Sequence, residues 1–347
     1  MWKKILLILL SGWMTASLTA QVPDYYNDVN LNLTGNDLRD ELATKIINTH
    51  THNPSYNDLW DVYVHSDSAS PGRIYLIYGW ENGQDNDCHN DLTRDADDHG
   101  GSASACDYNR EHVYPKSLGN PNLGTSGPGS DAHHVRPSDV SMNSWRGNKK
   151  FADDSGHAHA IDSDTWYPGD QWKGDVARII MYMYLRYGSQ CLPSQVGTGA
   201  RVASDTSMLQ LFLQWNADDP PSPLEDHRNE YLEGFQGNRN PFIDNPYLAT
   251  VIWGGPEAQD RWGMDVSKET MDAALRVWPN PVGEVLHIHS EWPLPVHYRL
   301  TRTEGQVLWE GDFRSDTERR IEKLPAGIYF LILTTPQGET VKRVVKQ

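Results

Sequence analysis

Positive charge is scarce in this sequence: its 347 residues carry 30 Lys+Arg against 47 Asp+Glu, a formal net charge of −17. Such a chain cannot draw a polyanion towards itself over long range, because its overall field repels one. Cysteine is scarce too, at 3 residues, so at least one thiol has no mate within the chain. Only one long apolar run occurs, from Ile5 to Leu10 and on through Trp13-Met14. It is too short and too early for a membrane-spanning helix. No P-loop is found, so there is no signature of a nucleotide cofactor. His50 with His52, and His157 with His159, are i, i+2 pairs in polar surroundings. Zinc needs three or four nitrogen or sulfur ligands, and no third one accompanies either pair, so both are read as surface residues.

What is there begins with Met1 to Ala20: two lysines, the apolar run, and a close on Ser17-Leu18-Thr19-Ala20, the pattern of a signal peptide. Export permits disulfides. Cys88 and Cys106 bracket a polar segment rich in Asp, Gly and Asn and are expected to be bonded, with Cys191 left as a buried free thiol. Asp37 to Ile47 places Leu38, Leu42, Ile46 and Ile47 at helical spacing, and Ile74 to Tyr78 reads as a strand. Asp175 to Tyr187 and Leu209 to Trp215 read as buried helices, the second ended by Pro220-Pro221, and Gly237 to Pro246 as loop.

The stretch from Cys106 to Phe151 concentrates the chemistry. Glu111 to Tyr114 reads as a short strand stopped by Pro115, and a loop follows from Gly119 to Gly129. A second strand spans Ala132 to Arg136; Ser138 then caps a helix that stops at Gly147. This β, loop, β, helix unit offers an imidazole (His112), a carboxylate (Glu111) and an amide oxygen (Asn143). A divalent cation such as Mg²⁺ prefers oxygen ligands, keeps most of its waters and takes one or two protein groups. A neutral imidazole beside it is suited to taking a proton from an attacking water. Neighbours on a regular strand face opposite ways, so Glu111 and His112 share a site only if the strand ends or distorts there.

Tyr108-Asn109-Arg110-Glu111-His112, Asp131-Ala132-His133, Pro137-Ser138, Asn143 and Arg146-Gly147-Asn148 together resemble the bacterial endonuclease I family of periplasmic and extracellular nucleases. The likeness continues in Lys173 to Arg178 and in Gln236 to Asp244. Members are His-Me finger (ββα-metal) enzymes. The resemblance implies that His112 is the general base, that Glu111 and Asn143 bind a single Mg²⁺, with Mn²⁺ or Ca²⁺ as substitutes, and that cleavage leaves 5′-phosphate and 3′-hydroxyl ends. Better-studied relatives carry a longer insert between the histidine and the asparagine, which supplies an arginine that steadies the cleaved phosphate. Here that interval is 31 residues and holds one arginine, Arg136. Arg136 and Arg146 are therefore the candidates for that role. Arg110, Asn148, Lys149, Lys150 and Arg239 are the candidate substrate contacts.

After Gly263 the character changes. Val285 to Ile288, Tyr298 to Thr301, Val307 to Trp309, Ile328 to Leu333 and Val341 to Val345 alternate as short strands, punctuated by Gly305, Gly327 and Gly338. They indicate a small immunoglobulin-like β-sandwich. Trp278-Pro279-Asn280-Pro281, Leu324 to Tyr329 and the basic end Lys342 to Lys346 resemble the type A sorting domain of type IX secretion. Residues 276–347 carry 10 Lys+Arg against 9 Asp+Glu, leaving 20 against 38 for the rest, so the acidity belongs to the catalytic part.

The expected fold class is α+β: a ββα-metal nuclease core with mostly helical surround, then a small all-β sandwich. The expected division is a signal peptide at 1–20, catalytic domain at 21–263, linker at 264–275 and sorting domain at 276–347. The expected function is that of a secreted, Mg²⁺-dependent, sequence-nonspecific endonuclease. Its partners would be DNA and RNA as substrate and the type IX machinery, with no membrane span, and it would be a monomer. Two alternatives stand beside it: a secreted phosphodiesterase acting on other phosphate esters, and a non-catalytic surface adhesin.

Overall fold

The computed structural model describes residues 22–83, 85–100, 106–264, 272–291, 296–335 and 338–347. The expected signal peptide lies outside the described residues, as does most of the expected linker.

Residues up to 264 pack around one helix. Val176, Ala177, Ile180, Met181, Tyr182 and Met183 of α4 (Lys173–Tyr187) are all buried. A helix that is apolar on every side must be covered on every side. Here α1 (Gly35–Thr49), α6 (Gln210–Asp218), α8 (Pro241–Asp244) and α9 (Tyr247–Trp253) cover it. α1 presents Leu38, Leu42 and Ile46 inward, as its spacing predicts. α7 (Pro223–Gln236) begins with a complete capping box, Ser222 with Glu225, and Pro223 at its first position; Gly237 ends it in the left-handed region. The Gly237 to Pro246 segment, expected as loop, contains the short helix α8, because the Asn240 side chain accepts from Phe242 N and starts a turn.

The catalytic stretch is a two-stranded antiparallel ladder followed by a helix. β4 (Tyr108–His112) pairs with β5 (Val135–Asp139), with Tyr108 opposite Asp139 and His112 opposite Val135. α3 (Val140–Arg146) follows directly. The ββα order is as expected, but its boundaries shift. β4 starts three residues before Glu111 and ends at His112 rather than Tyr114. β5 runs on through Pro137 to Asp139, since a two-stranded ladder supplies the edge position that proline needs. The cap is therefore Asp139, not Ser138: its Oδ1 accepts from Ser141 N and Met142 N. Gly147, at φ +56°, ends the helix as expected. The strand expected from Ile74 to Tyr78 is shorter, β2 (Arg73–Tyr75), and Tyr78 lies beyond it at φ +76°.

Residues 275–344 build a separate hydrophobic cluster that includes Leu286, Ile288, Tyr298, Leu300, Leu331 and Leu333. Among the described residues seven strands form it, where the spacing indicates five. One sheet orders β13 (Asp316–Arg320), β10 (Val285–Ser290) and β9 (Leu275–Trp278). The other orders β12 (Val307–Phe313), β11 (Val296–Arg302), β14 (Gly327–Thr335) and β15 (Gly338–Lys346). β13 escapes a reading based on apolar alternation because its residues, Asp-Thr-Glu-Arg-Arg, are all polar. β9 extends the sandwich to Leu275, which pairs with Ser290.

Cys88 and Cys106 are bonded across a sequence separation of 18, with Cα atoms 6.0 Å apart, and Cys191 is free and buried, both as expected. Closing a loop of that size stabilises the fold by about 3 kcal/mol through chain entropy. Cys88→Ser with Cys106→Ser should lower the urea-derived stability of the catalytic part by about that amount. Coincident unfolding curves for parent and variant would show that the bridge contributes nothing.

Candidate active site

The end of β4 supplies three of the groove-lining side chains in succession. Arg110, Glu111 and His112 line a groove of about 360 Å³ together with Tyr56, Pro115, Lys116, Ser117, Asn122, Asn143, Gly147 and Asn148. Glu111 and His112 share it because the strand stops at His112, and Asn143 faces them from α3.

His112 has its Nε2 at 2.9 Å from the Gly129 carbonyl oxygen. A carbonyl only accepts, so Nε2 carries the proton and Nδ1 is left as the acceptor. Gly129 is required there, since a Cβ would collide with the Gly124 carbonyl. The ring stacks on Tyr56 at 5.5 Å between centroids. Burial, with the nearby His134, Lys116 and Arg146, pushes its pKa down to about 2, so it is the free base at neutral pH. His134 packs behind it, 5.5 Å away between ring centroids, and has its Nε2 2.7 Å from the Pro128 carbonyl.

Glu111 is buried, and both of its side-chain contacts meet one oxygen. Tyr78 Oη donates to Oε1 at 3.0 Å, and Arg146 Nη1 lies 3.1 Å from the same atom. Burial pushes the carboxyl up to about 7 against the pull of Arg146 and Tyr78. A carboxylate so short of compensation has unmet demand for positive charge. Asn143 donates from Nδ2 to Asn109 Oδ1 at 2.6 Å, which turns its own Oδ1 away from that contact. Glu111 Oε2 and Asn143 Oδ1 are thus two hard oxygens left on one groove, a donor set that fits a hydrated Mg²⁺-like ion. Among the described residues no three His, Cys, Asp or Glu side chains gather as a cage for a softer metal.

Neither candidate arginine for the phosphate lines the groove. Arg136 is 1% exposed and lies between Asp67 at 3.1 Å and Asp175 at 3.2 Å, outside the groove lining. Arg146 is 0% exposed: besides Glu111, it donates to the carbonyls of His112 at 2.9 Å and Val113 at 2.7 Å. Both are drawn inward because an acidic fold supplies buried carboxylates and carbonyls that need them. Arg239 is likewise taken by Asp244 and Glu233, at 2.5 and 2.6 Å, and does not line the groove. Lys149 donates to the Trp145 carbonyl, and Lys150 is exposed on β6 (Lys150–Phe151); neither lines the groove. Of the expected substrate contacts, Arg110 and Asn148 do.

Four residues with parts in this geometry escape a reading of the sequence for function. Tyr56 lies far upstream of the motif, and nothing local marks it. Tyr78 owes its direction to a positive-φ backbone that composition does not reveal. Asn109 sits inside the motif, and its role appears only when α3 folds back across β4. Lys116, directly after Pro115, is a groove cation that proximity to His112 could have flagged.

With that geometry in hand, comparison with known proteins is informative. Residues 34–247 match the family described as Endonuclease I, and residues 276–347 the one described as Secretion system C-terminal sorting domain. An extracellular ribonuclease of Bacillus amyloliquefaciens is 39% identical over 249 residues, spanning 68% of this chain and 80% of that protein. An extracellular ribonuclease of Bacillus subtilis (strain 168) is 38% identical over 259 residues, spanning 71% and 83%. A solved structure of a DUF3244 family protein with an immunoglobulin-like β-sandwich fold from Bacteroides vulgatus aligns with 24% of this chain and 90% of its own. Its identity is 20% and its TM-score 0.21.

Two measurements check the electrostatics. Arg136→Met leaves Asp67 and Asp175 short of a buried partner and should cost about 3–5 kcal/mol in a urea titration; an unchanged midpoint would overturn the structural placement of Arg136. Burial holds the pKa of His134 down at about 4, below its unfolded value near 6.5. The unfolded chain therefore takes up its proton first, and stability is lost as the pH falls from about 6.5 towards about 4. Between pH 7 and 4.5 the parent should lose about 2.5 kcal/mol more than His134→Gln; equal losses would refute a buried neutral ring.

Proposed function

The chain belongs to the endonuclease I family and is a secreted nuclease, and from that premise we propose that it hydrolyses phosphodiester bonds in RNA and DNA without regard to sequence, leaving 5′-phosphate and 3′-hydroxyl ends. The observation that carries the reading is the sharing of one groove by His112, Glu111 and Asn143. The sorting domain directs it through type IX secretion, and no described helix is long and apolar enough to cross a membrane. That both curated relatives are extracellular ribonucleases supports RNA as a substrate here beside DNA.

In this reading His112 takes a proton from water at Nδ1 while the Gly129 carbonyl holds Nε2–H and fixes the tautomer. A phosphate anion arriving in the groove favours the protonated ring, so the base strengthens when substrate is bound. Glu111 and Asn143 would hold one Mg²⁺, which would supply positive charge to neutralise the phosphate. Tyr78 and Arg146 fix the carboxylate from behind, and Asn109 fixes the amide. Arg110 has its guanidinium carbon 3.7 Å from the Tyr56 ring and 4.2 Å from that of Trp60, and donates to the Tyr56 carbonyl. Held in that way, it meets a phosphate flanking the scissile one. Contacts to phosphate and sugar carry no direct sequence information, which accounts for the indifference to sequence. With 20 Lys+Arg against 38 Asp+Glu outside residues 276–347, affinity rests on these local contacts and falls with salt.

The purified protein should degrade both RNA and plasmid DNA with Mg²⁺ and neither with EDTA. His112→Ala should lower kcat by about 10²–10⁴. A variant that cuts as fast as the parent would remove His112 from the role of base. Hydrolysis of simple phosphate esters with no action on either polymer would favour the phosphodiesterase reading instead.

A further inference from the structure

Attack on a phosphodiester places additional negative charge on the non-bridging oxygens, so a groove that performs it profits from a cation directed at them. Two cationic side chains line this groove, Arg110 and Lys116. Arg110 is tied to the Tyr56 carbonyl and lies against Tyr56 and Trp60. The ring of Tyr56 packs on both Arg110 and His112, which are two residues apart on one strand.

Lys116 is placed differently. It opens the short 3₁₀ turn Lys116–Leu118 just after Pro115, and its carbonyl accepts from Leu123 N at 3.1 Å, so its backbone is anchored. The side chain is half-buried, with Nζ 6.0 Å from the centroid of the Tyr56 ring that stacks on His112. Among the described residues no carboxylate stands within ion-pair distance of its Nζ, although this part of the chain carries 38 Asp+Glu against 20 Lys+Arg. Residues 22–264 contain five lysines. Lys45 and Lys173 are paired with Asp28 and Asp218, Lys149 is turned to a backbone carbonyl, and Lys150 stands outside the groove. A lysine with no counter-ion among the described residues, on the wall beside His112 and in so acidic a fold, is suited to an anion that arrives from outside.

We propose that Lys116 is a catalytic residue of this nuclease, whose ammonium contacts a non-bridging oxygen of the scissile phosphate and stabilises the charge that attack places on it. The inference rests on the nuclease reading of the groove. During the step the bond from the water oxygen to phosphorus forms and the bond from phosphorus to the 3′-oxygen breaks. His112 receives the water's proton, the departing 3′-oxygen takes one from solvent, and Lys116 exchanges none. It fills by position the part for which Arg136 and Arg146 were candidates and which their burial denies them.

The test uses the full-length protein on a fluorophore-labelled single-stranded RNA of mixed sequence with Mg²⁺. Lys116→Met should lower kcat by about 10²–10³, the loss typical of one charge-stabilising donor, with KM changed less than tenfold and an unaltered thermal melt. Lys116→Arg should recover a large part of kcat, since a guanidinium also binds phosphate oxygen. Lys45→Ala, which removes the same charge outside the groove, should cut at the parent's rate. A rise in KM with kcat intact would overturn the proposal in favour of ground-state binding, and a Lys116→Met rate equal to the parent's would overturn it outright. If the parent itself left the RNA whole under these conditions, the nuclease reading would fail, an outcome distinct from failure of Lys116 alone.

Discussion

The site depends on the buried guanidinium of Arg146. It reaches from the last turn of α3 to the carbonyls of His112 and Val113 and to Glu111 Oε1, and its planar fork also lies over the Phe151 ring, 4.7 Å from the centroid. His112 is the last residue of β4 in register with β5 and Val113 lies just past it, so their buried carbonyls need partners from elsewhere, without which burial is costly. One side chain satisfies them and also holds the carboxylate in place. Because α3 contributes Asn143 as well, the same contact sets the spacing between the amide and the acid. A lysine, with a point charge and no planar fork, could not satisfy three acceptors in this way.

A second set of guanidinium groups lies deeper. Asp67, just after α2 (Leu59–Ser66), binds Arg136 from β5 and Arg228 from α7, while Arg178 from α4 binds Glu225 at 2.6 Å. Charges this far from water persist only in pairs. The arrangement explains how an acidic nuclease can hold many arginines and yet show few to its substrate: they are consumed in holding helices together. It also accounts for the placement of Arg136 and Arg239 away from the groove lining.

The order of elements around the motif, α1, α4, α6 and the seam between Cys88 and Cys106 were legible in the sequence, since apolar spacing and turn residues act locally. That His112, Glu111 and Asn143 line one groove was legible because they lie on adjoining elements of one compact motif. Boundaries were less so: Asp139 replaced Ser138 as the cap because β5 continued through Pro137, a choice made by pairing with β4 and not by local preference. The parts of Arg136 and Arg239 were not legible, because their carboxylate partners come from elements distant in sequence or from a turn whose packing decides the outcome. Tyr56 and Tyr78 were hidden for a similar reason, the first reaching the groove and the second Glu111 from outside the motif. β13 was hidden by polarity, since an edge strand with a solvated face needs no apolar alternation.

The two imidazoles beside the groove are both pinned to neighbouring carbonyls, His134 to Pro128 and His112 to Gly129, and Ser130 Oγ donates in turn to the Pro54 carbonyl. These anchors make residues 127–130 a splint whose length cannot change without displacing the His112 ring. The chain between Ser117 and Ser126 gives His112 no such hydrogen bond, although its Gly124 carbonyl packs against Gly129, and surface loops accept extra residues at small entropic cost. Lineages that lengthen the interval between the histidine and the asparagine would therefore be confined to that upstream half, so tolerance of insertion and tolerance of none sit side by side within a dozen residues.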